Sequence, residues 1–248
     1  MRFLSNAHTH STFCDGKNPP EEMIRAAEKL GFVSLGFSGH ASQGFDLEYS
    51  MTAETQRAYF ETVRALGSAA KLCVWAGLEQ DTFAPDALKA ENRRAADYMI
   101  GSAHYVSLDF HGRTVAVDGE PALLRQYIEE KCGGDGLELA RQYFDVHVSG
   151  LLRDRPDIIG HFDLVRKYAL SESAFRRNQP GIPPPGAGRA GKSVPLRRRA
   201  GGEHRGHCPR LPGRPLSYGG TAGRMAGAGR PHDHHQRLSR QSPTGLRL

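Results

Sequence analysis

Five times in its first 161 residues this chain carries a short apolar run that ends on a side chain able to ligate a metal. The runs are Phe3-Leu4, Val33-Ser34-Leu35, Leu72-Cys73-Val74-Trp75, Tyr98-Met99-Ile100 and Asp157-Ile158-Ile159. They lead to His8-Thr9-His10, His40, Glu79, His104 and His161. Each run has strand length and favours β-branched or aromatic residues, and helix-period segments separate most of them. Alternation of strand and helix implies a parallel sheet, open or closed into a barrel, whose ligands gather at the carboxyl ends of the strands. The fold class expected is therefore α/β.

The segments between the runs carry their own start and stop signals. Pro19-Pro20-Glu21-Glu22 opens a helix with proline and acids in the first turn, Met23, Ala26, Ala27 and Leu30 mark its apolar face, and Gly31 ends it. A second helix begins after Thr52 with Tyr59, Val63 and Leu66 on one side, and Lys89 to Ala96 forms a shorter, more polar third. Pro121 to Lys131 and Leu137 to Leu152 flank the glycines at 133, 134 and 136 and make a further pair, with Ala140, Phe144 and Leu151 expected to face the core of the latter. Between His104 and Pro121 the pattern alternates about His111-Gly112 and predicts a hairpin over the strand ends.

Composition changes near Leu170. Residues 1–170 hold 18 Lys+Arg against 24 Asp+Glu, whereas residues 171–248 hold 15 against 3, so the overall charge of +6 sums two unlike parts. The later part also contains 14 of the 29 glycines and 10 of the 15 prolines, a composition that cannot pack a core. Two regions are expected: a folded domain over 1–170 and an Arg/Gly/Pro-rich, disordered tail over 171–248. The four cysteines, at 14, 73, 132 and 208, form no CxxC pair, which suits a reducing compartment. The N-terminus has no apolar stretch of signal-peptide length, and no run of about 18 apolar residues occurs. A soluble, cytoplasmic protein with no membrane partner is expected.

The ligand types define the chemistry. Two imidazoles at His8-x-His10 share one face of an extended segment and can chelate one ion. Asp15, in the turn Cys14-Asp15-Gly16, can reach a neighbouring ion. Glu79 ends an apolar run, where a carboxylate is costly unless paired or metal-bound, and it can bridge two cations. His40, His104 and His161 complete the set. His111 and His147, in a turn and in mid-helix, are read as structural or solvated. Imidazoles with carboxylates and no thiolate suit Zn, Mn or Fe as divalent ions. Adjacent divalent ions clamp phosphoryl oxygens in an in-line displacement, so phosphate-ester hydrolysis is the favoured reaction, with His8, His10, Glu79 and His104 as its catalytic group. No P-loop, GxGxxG or GxSxG element supports a nucleotide-cofactor or serine-hydrolase reading.

His8-Thr9-His10-Ser11 with Asp15-Gly16, then Gly36-Phe37-Ser38-Gly39-His40, Gly77-Leu78-Glu79, Ile100-Gly101-Ser102-Ala103-His104-Tyr105 and Gly160-His161-Phe162-Asp163-Leu164-Val165-Arg166-Lys167 resemble, in order and spacing, the polymerase and histidinol phosphatase (PHP) superfamily. Within it they look most like monofunctional histidinol-phosphatases. The resemblance covers roughly residues 1–170. It implies a distorted seven-stranded β/α, TIM-like barrel with three metals that hydrolyses L-histidinol phosphate in histidine biosynthesis. It further implies that His8, His10 and Glu79 bind one metal, Glu79, His104 and His161 a second, and Asp15 and His40 a third. Arg166 is the candidate phosphate contact. The family's late Ser-Asp-x-His element, one more ligand to each of two metals, is absent after Leu170, so the barrel is expected to be incomplete beyond that point and the activity impaired.

Read one nucleotide later with permitted codons, the tail regains family-like stretches. Phe175 to Ala187 can become FDETNPEYRRLAL, Glu203 to Gly213 can become NTGAIARGYR, and Pro231 to Gln241 can become RMTITSDCHD, which holds the missing Ser-Asp-x-His. A frameshift between about Leu170 and Ala174 is the resulting expectation. Two other functions compete with the phosphatase. A PHP-type nuclease or polymerase-associated phosphoesterase would need a groove for a polyanion, against which the acidic front argues. A non-catalytic protein with a nucleic-acid-binding arm would use Arg197-Arg198-Arg199, but the tail has only Phe175 and Tyr218 for stacking. Neither displaces the small phosphate ester as the expected partner.

Overall fold

The structure, a computed structural model, describes residues 4–167. Five parallel strand positions run through it: β1 (Leu4–Asn6), β2 (Phe32–Phe37), a strand in two halves, β3 (Cys73–Ala76) and β4 (Leu78–Asp81), then β5 (Met99–Ser102) and β8 (Ile158–Ile159). Their order is β1-β2-β3 on one side and β4-β5-β8 on the other. Backbone bonds from Glu79 N to Gly39 O and from Ala41 N to Glu79 O join the two sides, so the sheet is continuous through the bend at Gly77. Residue 77 has a steric reason to be glycine. The Tyr98 ring lies where a Cβ on residue 77 would stand, 2.3 Å from its nearest atom, and no side chain fits there.

Parallel neighbours need crossovers, and helices supply them. α1 (Pro20–Lys29) joins β1 to β2, α2 (Ala53–Ala69) joins β2 to β3, and α3 (Asp86–Ala95) joins β4 to β5. α1 starts on Pro20 after Pro19, with Glu21 and Glu22 in its first turn, and the chain leaves it through Gly31 at φ +76°. α2 is held at its start by a reciprocal pair between Thr52 and Thr55. Met23, Ala27, Phe37, Tyr59, Val63 and Val74 form the core between these helices and the sheet. Burying the larger of these side chains stabilises by about 1.5–3 kcal/mol each.

The longest excursion, from β5 to β8, builds a second core. β6 (Tyr105–Phe110) and β7 (Arg113–Ala116) pair antiparallel. Their turn places His111 at φ +52° and Gly112 at +74°, the two left-handed residues of a tight hairpin. α4 (Pro121–Lys131) and α5 (Gly136–Asp154) pack on it through Phe110, Val115, Leu124, Ile128, Leu139 and Tyr143. A single 3-10 turn, Leu164–Arg166, follows β8.

Three expectations need adjustment. Leu30 lies on the C-cap of α1 and is 49% exposed, so the buried face of that helix runs through Met23, Ile24 and Ala27 instead. The buried face of α5 is Leu139, Tyr143, His147 and Gly150, one position back from the expected Ala140, Phe144 and Leu151, because Gly150 meets Thr82 so closely that a side chain there would collide. Among the described residues the sheet is open: no strand connects β8 back to β1. Phe3, the tail and its five histidines lie outside the described residues. No described helix is long and apolar enough to cross a membrane.

Candidate metal centre

Glu79 is the hub. It sits inside β4, 1% exposed, and five imidazole nitrogens surround its carboxylate. Toward Oε2 come His8 Nε2 at 3.6 Å, His10 Nε2 at 3.1 Å and His40 Nδ1 at 3.4 Å. Toward Oε1 come His104 Nε2 at 3.5 Å and His161 Nε2 at 3.0 Å. They arrive from four strand ends: His8 and His10 after β1, His40 after β2, His104 after β5 and His161 after β8. Asp15 stands at the edge, its Oδ1 2.6 Å from His10 Nδ1 and its Oδ2 3.8 Å from His40 Nε2.

Donor atoms in three overlapping groups lie within 4.8 Å of one another: His8, His10 and Glu79; His10, Asp15 and His40; and His40, Glu79 and His104. The first coincides with a set implied by the family resemblance. The second adds His10 to Asp15 and His40, and the third has His40 where the resemblance has His161. Arg166, the candidate phosphate contact, lies in the 3-10 turn, exposed, and pairs with Asp163 at 3.3 Å. His111 is a surface residue bonded to Glu130 at 2.7 Å, and His147 is fully buried in α5.

The electrostatics fit a cation site. Burial alone would raise the Glu79 carboxyl, but the neighbouring imidazoles of His10, His104 and His161 hold it well below the ordinary range. Burial depresses His10, yet its contacts with Asp15, Cys14 and Glu79 outweigh that and push it up to about 12. His104 behaves likewise: against burial, Asp81 and Glu79 push it up to about 10. His40 is held below its usual value, because burial together with the neighbouring His104 and His10 outweighs the pull of Glu79 and Asp15. Glu79 Oε2 is buried without a hydrogen-bond partner although three imidazoles face it. An orphaned carboxylate oxygen costs free energy, and a divalent ion held between it and those nitrogens would remove that cost. The donor set, imidazole and carboxylate, suits such an ion.

Several residues that serve the site were not singled out from the sequence. Ser102 donates to Glu79 Oε1 at 2.6 Å, Ser38 Oγ meets His8 Nδ1 at 2.7 Å, and Asp81 lies 3.1 Å from His104 Nδ1. The signal for them is period two: Ser38-x-His40, Glu79-x-Asp81 and Ser102-x-His104 each present alternate side chains to one face.

The model of the PHP domain matches residues 6–181. The chain is a member of the PHP domain family. A Schizosaccharomyces pombe protein named "Probable histidinol-phosphatase" is 25% identical over 185 residues, 68% of this chain and 58% of that protein. The chain thus spans less than two thirds of that curated relative. Among solved structures, hisK from Listeria monocytogenes, a protein assigned as a histidinol phosphatase, aligns over 67% of this chain and 69% of its own, with a TM-score of 0.51 and 20% identity, and so shares the fold. A histidinol phosphate phosphatase from Lactococcus lactis, complexed with zinc, L-histidinol and phosphate, aligns over 68% of this chain and 65% of its own with a TM-score of 0.48 and 20% identity.

Proposed function

We propose that the chain is a metal-dependent phosphomonoesterase that hydrolyses L-histidinol phosphate to L-histidinol and phosphate. The observation that carries this reading is the meeting of five imidazoles from four strand ends on one buried carboxylate, in a PHP family member. The named S. pombe relative supports the substrate. His8, His10 and Glu79 hold one cation, Glu79, His104 and His161 a second, and Asp15 with His40 a third, as zinc, manganese or iron. Arg166 exchanges Asp163 for a phosphoryl oxygen. The full domain is a seven-stranded barrel, of which five parallel positions are described and two more are needed to close β8 onto β1. The folded domain is taken to span residues 1–170, with a separate tail over 171–248; the family match itself runs to residue 181.

Bound divalent ions supply Lewis acidity and a nucleophile at neutral pH. The protein holds the donors in place beforehand. Ser102 fixes one oxygen of Glu79, Ser38 turns the His8 ring, and Asp15 turns the His10 ring, so little reorganisation is left for the reaction. The acidic front disfavours a long polyanion and leaves the small ester as substrate.

The test is phosphate release by the purified chain in the presence of zinc or manganese. Histidinol phosphate is expected to be turned over, and labelled single-stranded DNA is not. Degradation of the strand without turnover of the ester would assign the nuclease activity instead.

A further inference from the structure

We propose that Asp81 is a positioning residue of the metal centre, which fixes the tautomer and the aim of His104. The inference rests on the metal-centre reading above and adds a residue that the ligand sets do not include.

The geometry is specific. Asp81 is 2% exposed and lies two residues beyond Glu79 on β4, so both side chains leave the same face of the strand. Both of its oxygens are used. Oδ1 accepts from Phe83 N at 2.7 Å, and Oδ2 accepts from His104 N at 2.9 Å and lies 3.1 Å from His104 Nδ1. The second nitrogen of the ring, Nε2, points to Glu79 Oε1 at 3.5 Å. The imidazole is thus held between two carboxylates with opposite tasks. One accepts a hydrogen bond from Nδ1–H, and the other would hold, together with the Nε2 lone pair, a cation at the site.

Two further details separate this role from mere packing. Asp81 grips His104 twice, through its backbone and its ring, so it sets where the residue sits as well as how the ring is turned. Asparagine cannot replace it. An amide offers an acceptor at one end only, and here both ends face N–H groups. If the NH₂ of the Asp81→Asn side chain faces Phe83 N, two donors oppose each other. If it faces His104, the ring must accept at Nδ1 and place its proton on Nε2, which removes the lone pair from the site. A carboxylate behind a ligating imidazole also raises its basicity, and loss of such a partner costs about 10–100-fold in metal affinity.

The experiment uses the full chain and zinc alone. Zinc affinity is measured by competition with a chelating dye for the wild type, for Asp81→Asn, and for Asp97→Asn. Asp97 is a buried carboxylate in the segment before β5, whose Oδ2 accepts from Ala76 N at 2.8 Å. Asp81→Asn is expected to weaken zinc binding by about 10–100-fold, while Asp97→Asn leaves it within about two-fold even where it lowers stability. In parallel, long-range proton–nitrogen spectra of ¹⁵N-histidine-labelled, zinc-loaded wild type, with His104 assigned by its loss in His104→Gln, should show a proton on Nδ1 and zinc on Nε2. That spectrum needs no folded Asp81 variant. Equal zinc affinity in wild type and Asp81→Asn, or a proton on Nε2 of His104 in the zinc-loaded wild type, overturns the proposal and leaves the metal centre standing. A wild type that binds no zinc overturns both.

Discussion

At the scale of single residues the site depends on one anion. Glu79→Gln keeps the shape and removes the charge that draws the imidazoles together, so zinc affinity should fall by more than about 100-fold and phosphate release to background. Equilibrium dialysis with metal analysis checks the first, a phosphate assay the second. Ser102→Ala is milder: one oxygen of Glu79 loses its donor, and affinity should fall roughly 10-fold. Proton linkage gives a third expectation. Without metal, His10 keeps its proton up to about 12, because its contacts with Asp15, Cys14 and Glu79 outweigh its burial, and His104 keeps its own up to about 10. A cation must displace those protons, so affinity rises with pH across the neutral range and binding releases protons. Calorimetry in two buffers of different ionisation enthalpy should show that release; identical heats in both would contradict it. The metal-type residues were legible because ligands stand out at the ends of apolar runs. Asp81, Ser38 and Ser102 were not, because a lone polar residue in a strand has many commoner uses.

At the scale of elements, the helices were legible where capping and period agree. Pro20 and Gly31 bracket α1, and Thr52 starts α2. Faces were less so. α5 turns by one position because Gly150 lies against Thr82, a contact between segments far apart in sequence that no local pattern shows. The bend between β3 and β4 has the same character. The chain passes through Gly77 from β3 to β4, which carries Glu79 into the interior, and the Tyr98 ring occupies the space a side chain at 77 would need. Gly77→Ala must displace that ring, whose hydroxyl donates to Ala7 O and Phe37 O. It should cost about 1–3 kcal/mol, read as a lower urea midpoint at unchanged slope.

At the scale of the molecule, the sheet has two free sides among the described residues, and four exposed apolar side chains, Val148, Leu152, Ile159 and Phe162, lie on its last elements. An uncovered sheet side with apolar neighbours favours association. Our proposal for the tail is that its natural reading frame supplies the two closing strands. A gene with one nucleotide restored near codons 170–174 should give a monomer with higher turnover than the written chain, whose elution in size-exclusion chromatography should show aggregates. An unaltered natural gene that encodes the tail as written would refute the frameshift, though not the metal centre. That centre is tested most directly by an anomalous difference map from crystals grown with zinc. The account predicts peaks about 2.0–2.2 Å from Nε2 of His8 and His10 and from the carboxylate of Glu79; a map with no peak among these side chains, at full zinc occupancy elsewhere, would contradict it.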